Sequence, residues 1–128
     1  MSNVDLLKKG YQYFAEGNIE GVLTLFDPEI EWNECKGFPF IENEGTYIGH
    51  QAVVENIFAQ IPVHYDGFNI DIVDIFGSGD KVAMEGYYLG TWKATGKKFK
   101  ANAAHIWTVE NGLATRFFQA VDTVTIIG

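Results

Sequence analysis

A change of period along the chain is its strongest constraint on fold. Helical spacing of apolar side chains governs most of the first 61 residues, and β-branched and aromatic runs cut by glycine turns govern the rest. Ser2 or Asn3 can cap a first helix whose stripe is Val4, Leu7, Tyr11 and Phe14, and Gly17-Asn18 ends it. Asn18 opens a second helix with Ile19, Val22, Leu23 and Phe26 inward, stopped by Asp27-Pro28. From Glu29 to Glu34 the period is two, with Ile30, Trp32 and Glu34 on one side. Residues 35–49 read as an ordered loop, and Val53, Val54, Ile57, Phe58 and Ile61 as a third helix stopped by Pro62. Phe68–Phe76, Lys81–Trp92, Lys98–Val109 and Leu113–Ile126 read as strands, separated by Gly77-Ser78-Gly79-Asp80, Thr95-Gly96 and Asn111-Gly112. Consecutive strands on short turns make an antiparallel meander, so the expected fold is α+β, with a curved sheet wrapping the helices.

Such a layer must hold without staples. Cys35 is the single cysteine, which excludes an intramolecular disulfide and a cysteine metal cage and suits a reducing, cytoplasmic setting. The chain has 128 residues, 47% apolar and 15% aromatic, enough for one domain spanning 1–128 with a substantial core. Nine basic against seventeen acidic residues give 9 − 17 = −8, and the pI is near 4.7. That balance repels nucleic acid and anionic membranes, so neither is an expected partner. The N-terminal residues show no secretion signal, and no apolar run approaches the ~20 residues that cross a bilayer. The acidity is uneven, with thirteen acids and only Lys36 between residues 16 and 80. Lys93, Lys97, Lys98 and Lys100 crowd one hairpin tip, read as a solvated turn rather than an anion site.

Three polar side chains stand on apolar stretches. Glu34 shares a register with Ile30 and Trp32, which would desolvate it and raise its pKa toward that of a useful base; if the strand ends sooner, it lies in water. His105 shares a strand face with Ala103 and Trp107. A three-residue turn at Glu110-Asn111-Gly112 would set it opposite Phe117, with Gln119 and Val121 on its face; a two-residue Asn111-Gly112 turn would set it beside Phe118 and the Asp122 side. It is either a satisfied core histidine or an acid–base group. Asp122 is either a second acid or a hydrogen-bonding group that fixes a strand end. No histidine pair has metal-ligand spacing, and no nucleophile signature or phosphate loop is present, so no cofactor is implied. Aromatics fall on both faces of the strands, which fits either a homodimer through the sheet or a large monomeric core.

The order of these elements resembles the nuclear-transport-factor-two-like (NTF2-like, cystatin-like) superfamily, in particular its SnoaL-like and ketosteroid-isomerase-like branches. The likeness rests on Glu16-Gly17-Asn18-Ile19-Glu20 with Val22 to Phe26, Trp32-Asn33-Glu34, Gly45-Thr46-Tyr47-Ile48-Gly49, Thr95-Gly96-Lys97, Ala104-His105-Ile106-Trp107, Asn111-Gly112 and Val121-Asp122-Thr123. It implies a cone in which three N-terminal helices pack on a curved antiparallel β-sheet. It also places the isomerases' general base on Glu34, their oxyanion tyrosine near Gly10 with Tyr11 one position off, and their carboxylic-acid donor near Ala104. The strand histidine of the cyclases matches His105, and their acid–base aspartate falls on Gln119. The resulting expectation is a polyketide-cyclase-like or isomerase-like pocket for a hydrophobic small molecule, able to catalyse a cofactor-free proton transfer. Glu34 is its base, His105 its acid or polariser, and Gln119 and Asp122 orient, with Trp32, Tyr47, Tyr88, Trp107 and Phe117 as walls. The alternative is a non-catalytic ligand- or protein-binding module.

Overall fold

The computed structural model describes residues 2–128. The Ser2 hydroxyl accepts from Asp5 N–H at 3.0 Å and starts helix α1 (Asn3–Ala15). Asn18 starts α2 (Ile19–Thr24) in the same way through Gly21 N–H at 2.9 Å. Phe26, expected on the second helix, is instead the first residue of strand β1 (Phe26–Asn33), and Pro28 lies inside that strand. The ladder to the neighbouring strand is interrupted between Phe26 and Glu31, so the missing proline N–H breaks no pairing.

The segment expected to be all loop carries a short strand, β2 (Thr46–Ile48), antiparallel to β1. The expected third helix is divided into α3 (His50–Asn56), a 3-10 turn (Phe58–Gln60) and α4 (Ile61–His64). Pro62 lies in the first turn of α4, where no amide proton is needed, and does not terminate the helix. As expected, two helices precede the first strand; only these two are strictly N-terminal, which corrects the cone's three N-terminal helices.

Strands β3 (Tyr65–Ser78), β4 (Lys81–Trp92), β5 (Lys97–Glu110) and β6 (Leu113–Val121) form the expected antiparallel meander. The sheet order is β2-β1-β6-β5-β4-β3, and β1 runs parallel to β6, so the sheet is not wholly antiparallel. It is also neither closed nor strongly curved, contrary to the expected cone. The last strand stops at Val121, short of the expected Ile126. Asp122 caps a terminal helix, α5 (Thr123–Ile127), which turns Ile126 back into full burial.

The β5–β6 hairpin decides which side chains share the inner face. Asn111 (φ 52°) and Gly112 (φ 78°) form a two-residue turn that pairs Glu110 with Leu113. By itself this turn would set His105 beside Phe118. Between Val109↔Ala114 and Thr108↔Arg116, however, β6 carries one extra residue, Thr115. That bulge reverses the parity, so Trp107 pairs with Phe117 and His105 with Gln119. Two apolar clusters underlie this face, one joining α1, β1, Trp107 and Phe117, the other joining Phe38, Tyr65, Tyr88, Trp92, Phe99 and Ile126. Tyr87, Ala104, Ile106 and Phe118 alternate onto the outer face, where Ile106 and Phe118 are 43% and 41% exposed.

Candidate functional site

Between the inner face and the helices lies a cavity of about 80 Å³. Its floor is Trp32, Trp107 and Phe117, with the Trp32 and Phe117 rings stacked at 3.8 Å. Leu7, Gly10, Tyr11 and Phe14 of α1 form one wall, Phe58 and Ile61 a second, and Phe38 and Phe40 from the loop after β1 a third. No lysine or arginine lines it among the described residues. Its polar side chains are Glu34, His105, Gln119, Tyr11, Tyr65 and Tyr88, and all but Tyr65 belong to one hydrogen-bonded chain.

That chain begins at Trp107, whose Nε1–H donates to Tyr11 Oη at 2.9 Å. Tyr11 Oη meets His105 Nδ1 at 2.7 Å, and His105 Nε2 meets Tyr88 Oη at 2.5 Å. Tyr88 O–H donates to Gln119 Oε1 at 2.5 Å, and the Gln119 amide donates to Glu34 Oε2. At the far end Trp32 Nε1–H donates to Glu34 Oε1 at 2.8 Å. Indole can only donate and an ionised carboxylate can only accept, so the ends set the direction. Tyr11 donates to Nδ1, the imidazole proton sits on Nε2, and every group is satisfied.

Glu34 is held from both sides of its backbone. Its N–H donates to Gly45 O at 2.7 Å, and Gly45 has φ 85°, with no room for a Cβ against the Glu34 carbonyl. As a whole residue Glu34 is half-buried, but its carboxyl is the part enclosed by the cavity. Burial raises its pKa to about 7, against the bonds from Trp32 and Gln119 that favour the charged form. Burial lowers that of His105 to about 3, so this ring is neutral at ordinary pH and is not an imidazolium acid. The Tyr11, Tyr65 and Tyr88 hydroxyls are all pushed upward by burial and remain protonated.

The structure thus brings together seven of the nine residues singled out from the sequence: Glu34, His105, Trp32, Tyr88, Trp107, Phe117 and Gln119. Two lie elsewhere. Asp122 is exposed and caps α5, accepting from Thr125 N–H at 3.2 Å and Thr125 O–H at 2.5 Å, which is its strand-end alternative. Tyr47 is buried, but its hydroxyl accepts from Glu42 N–H at 2.8 Å and donates to Glu42 O at 3.1 Å; it pins the loop instead of lining the cavity. Ala104, where the isomerase donor was expected, is on the outer face. Tyr11 was not among the residues singled out for the site; its signals were its place on the buried α1 stripe and its position one residue from where the resemblance sets the isomerases' oxyanion tyrosine. Among the described residues no group of three or more His, Cys, Asp or Glu is arranged to hold a metal ion. None forms a helix long and apolar enough to cross a membrane.

Comparison with known proteins shows the family of the chain. The sequence matches the SnoaL-like domain family over residues 7–117. The chain belongs to the SnoaL-like family. No curated protein matches it. An NTF2-like protein from Burkholderia thailandensis E264 is similar to this SnoaL-like chain at 30% identity and TM-score 0.90, covering 98% of this chain and 94% of that one. An NTF2-like protein of unknown function from Burkholderia pseudomallei K96243 is 26% identical, with TM-score 0.87 and full coverage of both chains. TerC, co-crystallised with polyporic acid, is 28% identical, with TM-score 0.83 over 95% of this chain and 92% of its own.

Proposed function

We propose that this SnoaL-like chain binds a hydrophobic small molecule in the inner cavity and moves a proton on it, with Glu34 as the base and no cofactor. One observation carries the reading: a carboxyl with its pKa near 7 stands in an aromatic cavity with no basic side chain among the described lining residues. A base is most useful when its pKa is close to the working pH. The absence of a basic side chain from the described lining favours a ligand without net negative charge. Co-crystallisation of TerC with polyporic acid supports a small-molecule ligand by analogy. At about 80 Å³ the cavity is smaller than the roughly 300–1,000 Å³ of drug-sized sites, so a drug-sized ligand enters only if lining side chains move aside.

Hydrophobic ketones and quinones with an acidic C–H, offered in heavy water and followed by mass spectrometry, test the reading. The wild-type protein should catalyse exchange that rises as pH passes about 7, and Glu34→Gln should lose about a hundredfold. Exchange unchanged in the variant would remove Glu34 as the base. A second reading, a non-catalytic binding module, is favoured by His105, whose two nitrogens are both engaged and leave no free acid. It predicts ligand-dependent quenching of Trp32 and Trp107 without exchange. We further propose one domain over residues 1–128, a cytoplasmic setting suited to the free Cys35 thiol, and a homodimer through the outer sheet face.

A further inference from the structure

We infer that the chain Glu34–Gln119–Tyr88–His105–Tyr11 is a reversible relay, in which a proton gained by Glu34 reverses every hydrogen bond and turns the Tyr11 hydroxyl toward the cavity. Gln119 and Tyr88 are then positioning residues. Only the use of the relay in a reaction rests on the function proposed above; the reversal itself belongs to the ligand-free protein.

With Glu34 ionised, each hydrogen in the chain has one acceptor, running from Trp107 through Tyr11, His105, Tyr88 and Gln119 to Glu34. Protonated Glu34 must donate, and Trp32 N–H already occupies its other oxygen and cannot accept. The proton therefore faces Gln119, whose amide rotates to offer Oε1. Its NH2 then donates to Tyr88 Oη, Tyr88 O–H donates to His105 Nε2, and the imidazole proton moves to Nδ1 and donates to Tyr11 Oη. Tyr11 Oη now accepts from both His105 and Trp107, so its own hydrogen has only the cavity to face. The net change is one proton on Glu34; imidazole and both phenols keep theirs, with the ring proton changing nitrogen by exchange with water.

The reversal couples the two ends of the site. A base that takes a proton from a ligand at the Glu34 end presents a hydrogen-bond donor at the Tyr11 end, where charge left on a carbonyl oxygen would need one. By linkage, a ligand acceptor at Tyr11 favours the protonated carboxyl equally. The titratable groups facing the relay are Cys35 beside Glu34, Tyr65 from β3, Tyr88 from β4 and Tyr11 from α1. Burial raises all four, so none ionises before Glu34.

Nitrogen-15 spectra of the His105 ring in ligand-free protein test the relay, because they report which nitrogen carries the proton. In the wild type the ring should be Nε2–H at high pH and become Nδ1–H as pH falls through about 7, in step with the carbon-13 titration of the Glu34 carboxyl. In Glu34→Gln, Trp32 N–H fixes the amide oxygen and leaves its NH2 facing Gln119, so His105 should be Nδ1–H at every pH. Gln119→Leu should cut the link and abolish the His105 response near pH 7. A ring that stays Nε2–H while Glu34 titrates, or that responds equally in Gln119→Leu, overturns the relay. If either variant fails to fold, the wild-type titration alone decides. Because no ligand is present, loss of the relay leaves the base reading intact, and loss of exchange in Glu34→Gln leaves the relay intact.

Discussion

At the scale of single residues, the site joins two groups whose pKa values burial moves in opposite directions. A carboxyl whose pKa is raised on folding stabilises the native state fully below its unfolded value, and that contribution is lost as pH rises through the folded value. Glu34 follows this course from 4.5 to about 7. His105 follows the opposite one, since its pKa falls from 6.5 to about 3 on folding, and its contribution is lost as pH falls across that window. Comparing Glu34→Gln with the wild type isolates the first term. The variant's relative stability should be constant below pH 4.5, grow by about 3 kcal/mol between there and pH 7, at ~1.4 kcal/mol per pKa unit, and level off above. Urea unfolding at pH 4, 5.5 and 8 measures it; a difference independent of pH would place the carboxyl in water. Glu34 was legible because a period of two put it in line with Ile30 and Trp32. Tyr11 was not, because a stripe shows which face is buried and not where one hydroxyl ends.

Among the elements, short-range chemistry set the turns and helix starts, while small irregularities decided the faces. Asn111-Gly112 was readable as a hairpin turn, but the register that brings Gln119 beside His105 depends on the Thr115 bulge, which leaves no mark on apolar alternation. Proline misled twice for one reason, since its missing N–H matters only where a partner is expected. Pro28 lies in a gap of the ladder and Pro62 in a first helical turn. Asp122 belongs to this scale as well. Asp122→Ala should cost about 1 kcal/mol by removing the cap of α5. Ligand quenching of Trp32 and Trp107 should be unchanged, since Asp122 is outside the cavity lining. Thermal unfolding and a binding titration on one preparation check both halves, and weaker binding would return Asp122 to the site.

For the molecule as a whole, the outer sheet face is the surface through which a second copy would pack. Ile106 and Phe118 pair across β5 and β6 with the Ala104–Ala120 pair beside them, an apolar strip that a second copy would cover. If the proposed homodimer forms there, Phe118→Glu should give a monomer by sedimentation while the inward-facing cavity keeps its tryptophan quenching; an unchanged mass would move the interface elsewhere. Near neighbours in the chain were enough to specify the helical stripes, the glycine turns, the meander, the acidic balance and the identity of the unusual carboxylate. Tertiary structure alone decided the parallel seating of β1 on β6, the helix in place of the final strand, and the joining of five side chains from α1, the β1 loop, β4, β5 and β6 into one hydrogen-bonded chain. The physical reason is range. Capping and alternation act over a few residues, whereas a buried proton path requires every donor to find its acceptor across separate elements at once, and no local pattern records that condition.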